Sequence, residues 1–136
     1  MTFRSILILA SLLVVQSVYA ADTFKFEPAV VNLTGKLIKK EFFGPPGYGE
    51  DPKTDSKEHA AILLLSQPIR VVAGKDDQFN ETRKNVKEVQ LINVKRITLS
   101  PYIQKKVKVT GKLSSAITGH HHTDVLIEID TIELEK

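Results

Sequence analysis

The sequence contains no cysteine, no tryptophan and only one methionine. Without cysteine the chain cannot form a disulfide, cannot carry a lipoprotein modification and cannot use a thiolate as a nucleophile. The folded state must therefore be stabilised by an apolar core, and a chain of this length is large enough to build one.

An excess of charge of one sign is also missing, because the formal net charge is only +3. A nearly neutral chain without tryptophan is not built mainly to hold a polyanion. The lysines of the strand patterns are interpreted as a solvated face that also protects a sheet edge. The sequence therefore predicts no nucleic-acid partner.

A long apolar run occurs only near the N-terminus, where the mainly apolar stretch from Ile6 to Val15 follows Arg4. Val18 and Ala20 then supply small residues at the positions that signal peptidase reads. The run is too short for a membrane anchor, which needs roughly 20 apolar residues. We therefore predict a cleavable Sec-type signal over residues 1–20. The single domain of residues 21–136 would then be periplasmic or secreted, with no membrane span left after cleavage.

Apolar and polar residues alternate with period two through most of the remaining chain, which indicates β-strands. The pattern predicts five strands, near residues 31–43, 59–72, 86–94, 106–115 and 123–134. A single helical turn is predicted at Leu99–Gln104, with Ser100 as its cap and Pro101 at its first position. This order predicts an all-β, five-stranded OB-like Greek-key barrel with at most one short helix. A β-sandwich and another small barrel are the alternatives.

Two strands share a short string, Leu33-Thr34-Gly35-Lys36-Leu37 and Val109-Thr110-Gly111-Lys112-Leu113. A central glycine allows a long strand to bend sharply, as a small barrel requires. The alternation also predicts the core positions of the strands: Val31, Leu33, Leu37, Val89, Leu91, Val107, Val109, Leu113, Val125, Ile127, Ile129 and Ile132.

Two segments are candidates for contact with a ligand or partner. The stretch from Phe42 to Glu58 combines aromatic residues with a Gly- and Pro-rich loop, and a long loop in a compact domain is usually functional or disordered. The last turn carries three consecutive histidines. In an OB-like barrel these loops would flank the ligand face, although at least one phenylalanine is expected to cap the core. The predicted binding residues are Phe42, Phe43, Tyr48, His120, His121 and His122.

The histidines also allow a metal hypothesis, in which a Zn²⁺ or Cu²⁺ site is drawn from His59, His120, His122 and Asp124. Structural zinc sites normally show four spaced ligands, which this sequence lacks. A simpler interpretation is a turn whose imidazoles bind backbone groups and Thr123 or Asp124. A pH-sensitive contact surface is a third interpretation, and no other cofactor is expected.

No motif for catalysis is present, whether a Ser/His/Asp spacing, a Gly-rich phosphate loop or a paired-carboxylate pattern. We therefore expect a protein that is not an enzyme. A hydrolase, the alternative, would need a nucleophile and a base within hydrogen-bond reach in a pocket.

The strings Gly44-Pro45-Pro46-Gly47-Tyr48, Val107–Leu113 and Gly119-His120-His121-His122-Thr123-Asp124 give the chain a resemblance to a known family. Over about Pro28 to Ile129, it resembles a domain-of-unknown-function family of small secreted bacterial proteins with a G-H-H-x-T-D motif. It is also loosely similar to periplasmic bacterial OB-fold proteins, which are taken to bind small ligands or partner proteins. The resemblance implies an envelope location and supplies no activity. The prediction is a non-enzymatic binding module, for example an inhibitor or immunity-type protein that acts on an envelope partner.

Overall fold

The computed structural model describes residues 13–14 and 20–136. The predicted signal segment, residues 1–20, therefore lies almost wholly outside the described residues. Within the described part, no helix has the length and apolar character that crossing a membrane requires.

The described chain is built from β-strands and one short 3₁₀ turn. The strands are β1 (Asp22–Lys25), β2 (Val30–Phe43), β3 (Lys57–Val72), β4 (Arg83–Ile92), β5 (Lys106–Ser115) and β6 (Val125–Leu134), and the 3₁₀ turn is Ser100–Tyr102. This composition confirms the predicted all-β fold. The five predicted strands correspond to β2 through β6.

The five long strands close into a ring. β2 pairs antiparallel with both β3 and β5, β5 pairs antiparallel with β6, and β6 pairs parallel with β4. An antiparallel pairing of β3 with β4 completes the circuit. This arrangement agrees with the predicted OB-like order. The connections between the strands lie at the two rims of the ring.

The core lies inside the ring, where the inward positions of all five long strands meet. Every core position that the alternation predicted is at most 8% exposed. Side chains on a strand alternate between its two faces, so a shift of one residue along a strand would move all of its predicted core residues to the solvent side. The period-two pattern therefore identifies both the long strands and the side chains that face the core.

Two features differ from the sequence prediction. The short strand β1 was not predicted, and it pairs parallel with the end of β3, where Phe24 partners Val71. The predicted helical turn is present, but its N-cap is Leu99 and no side chain caps it. Pro101 lies at the start of the turn, where a backbone N–H has no acceptor within the helix, so the missing donor of proline costs nothing there.

The two glycines of the repeated string occupy places where neighbouring strands approach very closely. A Cβ at Gly35 would lie 2.2 Å from the carbonyl oxygen of Leu64, and one at Gly111 would lie 2.1 Å from that of Glu128. Only a residue without a side chain fits at either place. The shared string thus marks two points where the ring is tightly coiled.

Replacing either glycine should therefore destabilise the fold. Because the added methyl group meets backbone rather than a movable side chain, we expect Gly35→Ala and Gly111→Ala each to lower the free energy of unfolding by about 1–3 kcal/mol. Urea unfolding followed by circular dichroism measures the change. Gly74→Ala is the matched control, because nothing lies within 4 Å of a Cβ there. Equal stability of Gly111→Ala and Gly74→Ala would contradict the close approach.

Candidate functional site

Two connections meet at one rim of the ring. The proline loop, residues 44–56, joins β2 to β3, and the histidine turn, residues 116–124, joins β5 to β6. Although far apart in sequence, they contact each other through Tyr48, Gly119 and His120. The two segments that the sequence singled out as candidates for contact with a ligand or partner thus lie side by side in the structure.

The proline loop is organised around the carboxylate of Asp55, a residue that is 8% exposed. Its oxygens accept N–H bonds from Gly47 and Gly49, both at 2.7 Å, and from Asp51 at 3.2 Å. Burial alone would raise the pKa of Asp55, but these three bonds hold it below its ordinary value. A long loop therefore has a defined shape at neutral pH.

Tyr48 adopts a backbone conformation that aromatic residues rarely take, with φ at 51°. A non-glycine residue held in the left-handed region persists only where its surroundings fix it. Its ring packs on Gly119, where a Cβ would lie 2.7 Å from the ring carbon Cζ. Its hydroxyl lies 3.3 Å from Nε2 of His120, and the side chain of Tyr48 remains partly exposed.

Glu58, the second residue of β3, joins the two connections. Its Oε2 lies 2.9 Å from Nδ1 of His120, and its Oε1 lies 2.5 Å from Nε2 of His122. Each imidazole can donate an N–H hydrogen bond to a separate carboxylate oxygen. Such bonds to an ionised group are charge-assisted. One carboxylate therefore fixes both outer histidines, and we call this arrangement the Glu58 bridge.

The side chains of Phe42 and Phe43 lie at the rim of the ring and not in the core. Phe42 stacks on His122 with ring centroids 4.1 Å apart and an interplanar angle of 3°. The Nζ of Lys57 lies 3.5 Å from the ring centroid of Phe43, a cation–π distance. The expectation that at least one phenylalanine caps the core was wrong, since neither belongs to the core cluster.

Gln90 on β4 holds the backbone of the histidine turn. Its Oε1 accepts the N–H of His122 at 2.7 Å, and its Nε2 donates to the carbonyl of His120 at 3.1 Å. By register, Gln90 lies between Ile62 and Leu126, on the outer face of the ring. All three are at most 7% exposed, although they point away from the core. The histidine turn thus lies over a second buried patch outside the ring.

His121 has a different role from its neighbours. Its Nδ1 accepts N–H bonds from Ile117 at 3.0 Å and Thr118 at 3.3 Å, so the ring must be neutral at that nitrogen. Burial lowers the pKa of His121, and charge on His120 and His122 lowers it further. His121 therefore closes the turn as an acceptor.

The Glu58 bridge also changes the pKa of the Glu58 carboxyl group. The hydrogen bond from His120 holds the pKa of Glu58 below its ordinary value, against the partial burial that raises it, and His122 adds to the lowering. Glu58 is thus ionised at neutral pH and can accept from both rings. The tautomer of His120 that donates from Nδ1 presents Nε2 as an acceptor, and a hydrogen bond from the Tyr48 hydroxyl to that nitrogen orients the phenol.

The four residues of the metal hypothesis do not meet at one point. His120 and His122 contact opposite oxygens of Glu58, so the carboxylate lies between their rings instead of beside them. His59 points to the other face of β3 and lies 3.4 Å from Glu41. The side chain of Asp124 is exposed. Across residues 13–14 and 20–136, no group of three or more histidine and acidic side chains is arranged to hold a metal ion.

Five of the six predicted contact residues therefore come together in the structure, namely Phe42, Tyr48, His120, His121 and His122, with Phe43 beside them on β2. Sequence reasoning missed Glu58 and Gln90, which position these residues. Neither carries a local signal of its role. Glu58 is one of several acidic residues in or directly after the proline loop, and Gln90 occupies an outward position of an alternating strand.

Comparison with known proteins adds one match. The family model described as "Domain of unknown function (DUF4431)" matches residues 88–133, which is less than half of the chain. The match agrees with the expected resemblance to a family of unknown function. It includes Gln90 and the histidine turn but not Glu58 or the proline loop. No curated protein and no solved structure matches the chain.

The acceptor role of His121 predicts a pH dependence of stability. A lowered pKa means that the folded state favours neutral His121. This contribution is complete above the ordinary histidine pKa of about 6.5 and is lost as the pH falls through the lowered value. His121→Ala should cost about 1–2 kcal/mol at neutral pH, since two hydrogen bonds are lost.

His121→Asn is the informative comparison, because an amide oxygen accepts hydrogen bonds but does not titrate in this range. Urea unfolding at several pH values between about 5 and 7 should show a weaker loss of stability in this variant than in the wild type. Identical pH profiles for the two proteins would show that His121 does not close the turn as a neutral acceptor.

Proposed function

We propose that this protein is a non-enzymatic, exported binding module, and that the proline loop and histidine turn form its contact surface. Tyr48 and His120 are its central contact residues. The ring serves as a rigid platform, and function resides in the connections at its rim. An envelope protein that the module blocks, as an inhibitor or immunity-type protein would, is the proposed partner.

The observation that carries this proposal is the locking together of two distant connections with aromatic and imidazole groups left at the surface. The side chain of His120 is 61% exposed and Tyr48 is 40% exposed, whereas Glu58 and His122 beneath them are mostly covered. A surface fixed before binding loses little conformational entropy when a partner arrives. The left-handed backbone of Tyr48 supports the same proposal, because such strain is concentrated at functional sites.

The non-enzymatic part of the proposal has support in the surroundings of the site. The Tyr48 hydroxyl and His120 could resemble a nucleophile and a base. They lie on exposed surface, however, since Tyr48 is 40% and the His120 side chain 61% exposed. A reacting group would stay in water there, where preorganised electrostatic stabilisation is weak.

Affinity capture tests the proposal. The purified protein is cross-linked to envelope extract of its own cells, and the captured protein is identified by mass spectrometry and purified. We expect Tyr48→Ala with His120→Ala to weaken binding of that partner at least about tenfold, as the loss of central contact residues does. The dissociation constant is measured by calorimetry.

The matched control is Val30→Ala with Val94→Ala. Both valines are more than half exposed and lie outside the two connections. This pair should leave the dissociation constant unchanged. A captured partner that binds the Tyr48 and His120 variant as tightly as the wild type would show that the contact surface lies elsewhere.

A further inference from the structure

A separate small cavity lies between strand ends of the ring and the segment that follows β4. We call residues 93–105 the cap segment. The cavity has a volume of about 280 Å³ and lies between Lys39 of β2, His59 and Ala61 of β3, and Leu99, Ser100 and Ile103 of the cap segment. The small side chain of Ala61 leaves the space that a larger residue would fill.

The walls of the cavity are held firmly. Asn93 donates its Nδ2–H to the carbonyl of Ile97 at 2.7 Å and accepts the N–H of Ile97 at 2.9 Å. Gln104 donates to the carbonyl of Leu37 at 2.7 Å, which ties the end of the cap segment to β2. Leu99 and Ile103 pack against the core cluster. The cavity is therefore preformed, as small-molecule sites usually are.

The ionisable side chains that line the cavity, Lys39 and His59, are both basic, and Ser100 adds a neutral hydroxyl group. Within residues 20–136, no carboxylate lies at ion-pair distance from Lys39, whereas the adjacent Lys40 pairs with Glu88 at 3.7 Å. His59 adds a second nitrogen, shared with Glu41 at 3.4 Å. An apolar space with one uncompensated ammonium group favours a ligand that has an apolar body and a single negative charge.

We infer that this cavity binds a small aliphatic carboxylate, with its chain against Ala61, Leu99 and Ile103 and its carboxylate on Lys39 and His59. A cavity of 150 Å³ holds benzene, so the volume here suits a chain of about six to eight carbons. The inference goes beyond the proposed function, because strand alternation places His59 and Glu58 on opposite faces of β3. Either site can be tested without the other.

Sodium octanoate is the probe, titrated into the purified, ¹⁵N-labelled protein and followed by NMR. We expect saturable shifts of the Ala61, Leu99 and Ile103 amides with a dissociation constant of about 1 mM or tighter, as a ligand of this size allows. Octylammonium has the same chain with the opposite charge, and we expect it to bind at least about tenfold more weakly. Ala61→Leu fills the cavity and should abolish the shifts.

Lys39→Met removes the charge but keeps the apolar stem, and it should weaken octanoate binding about tenfold. Lys36→Met is the matched control, since Lys36 is an exposed lysine of the same strand, and it should bind like the wild type. Lys39→Met also tests the inference should Ala61→Leu fail to fold. Equal binding of octanoate and octylammonium, unchanged binding by Lys39→Met, or no saturable shift at the cavity residues would overturn it.

Discussion

The proposed contact surface depends on one carboxylate, which lies between two imidazoles. Glu58 occupies the start of β3, directly after the proline loop, and its oxygens fix His120 and His122 of the histidine turn. Without this carboxylate, the mostly buried ring N–H of His122 loses its acceptor, which costs more than the bond itself contributes, and the exposed His120 loses the group that fixes its position. Tyr48 would then lose the histidine that orients its hydroxyl.

The bridge works only because the ring brings its participants together. β3 runs beside β4, and β4 runs beside β6, so Glu58, Gln90 and the histidine turn occupy neighbouring places on the outer face. The close approaches at Gly35 and Gly111 allow the ring to be coiled tightly enough for this closure. Core packing, strand closure and the geometry of the contact surface are therefore consequences of the same strand pattern.

Much of the fold could be predicted from the sequence, since alternation along a strand is a local signal. Val31, Leu33 and Leu37 identify the inner face of β2 without any knowledge of its partners. The short strand β1 could not be predicted in this way, because its four residues do not alternate and their pairing with β3 depends on the finished ring.

The site was predictable only in its conspicuous residues. Consecutive histidines and an aromatic within a Gly- and Pro-rich loop stand out in any sequence. Glu58 does not, because its partner His120 is 62 residues away and no spacing rule connects them. In the sequence, Gln90 resembles a strand residue that faces solvent. It is only 7% exposed because the histidine turn covers it and binds its side-chain amide. Polar residues that work through distant contacts leave no periodic signal.

Hydrogen–deuterium exchange of Glu58→Ala tests the central claim most directly, with Glu41→Ala as its control on the neighbouring strand. The account predicts faster exchange throughout the histidine turn in Glu58→Ala, while the amides of the ring strands stay protected and Glu41→Ala matches the wild type. Unchanged exchange of the histidine turn in Glu58→Ala would show that the Glu58 bridge does not hold the contact surface together.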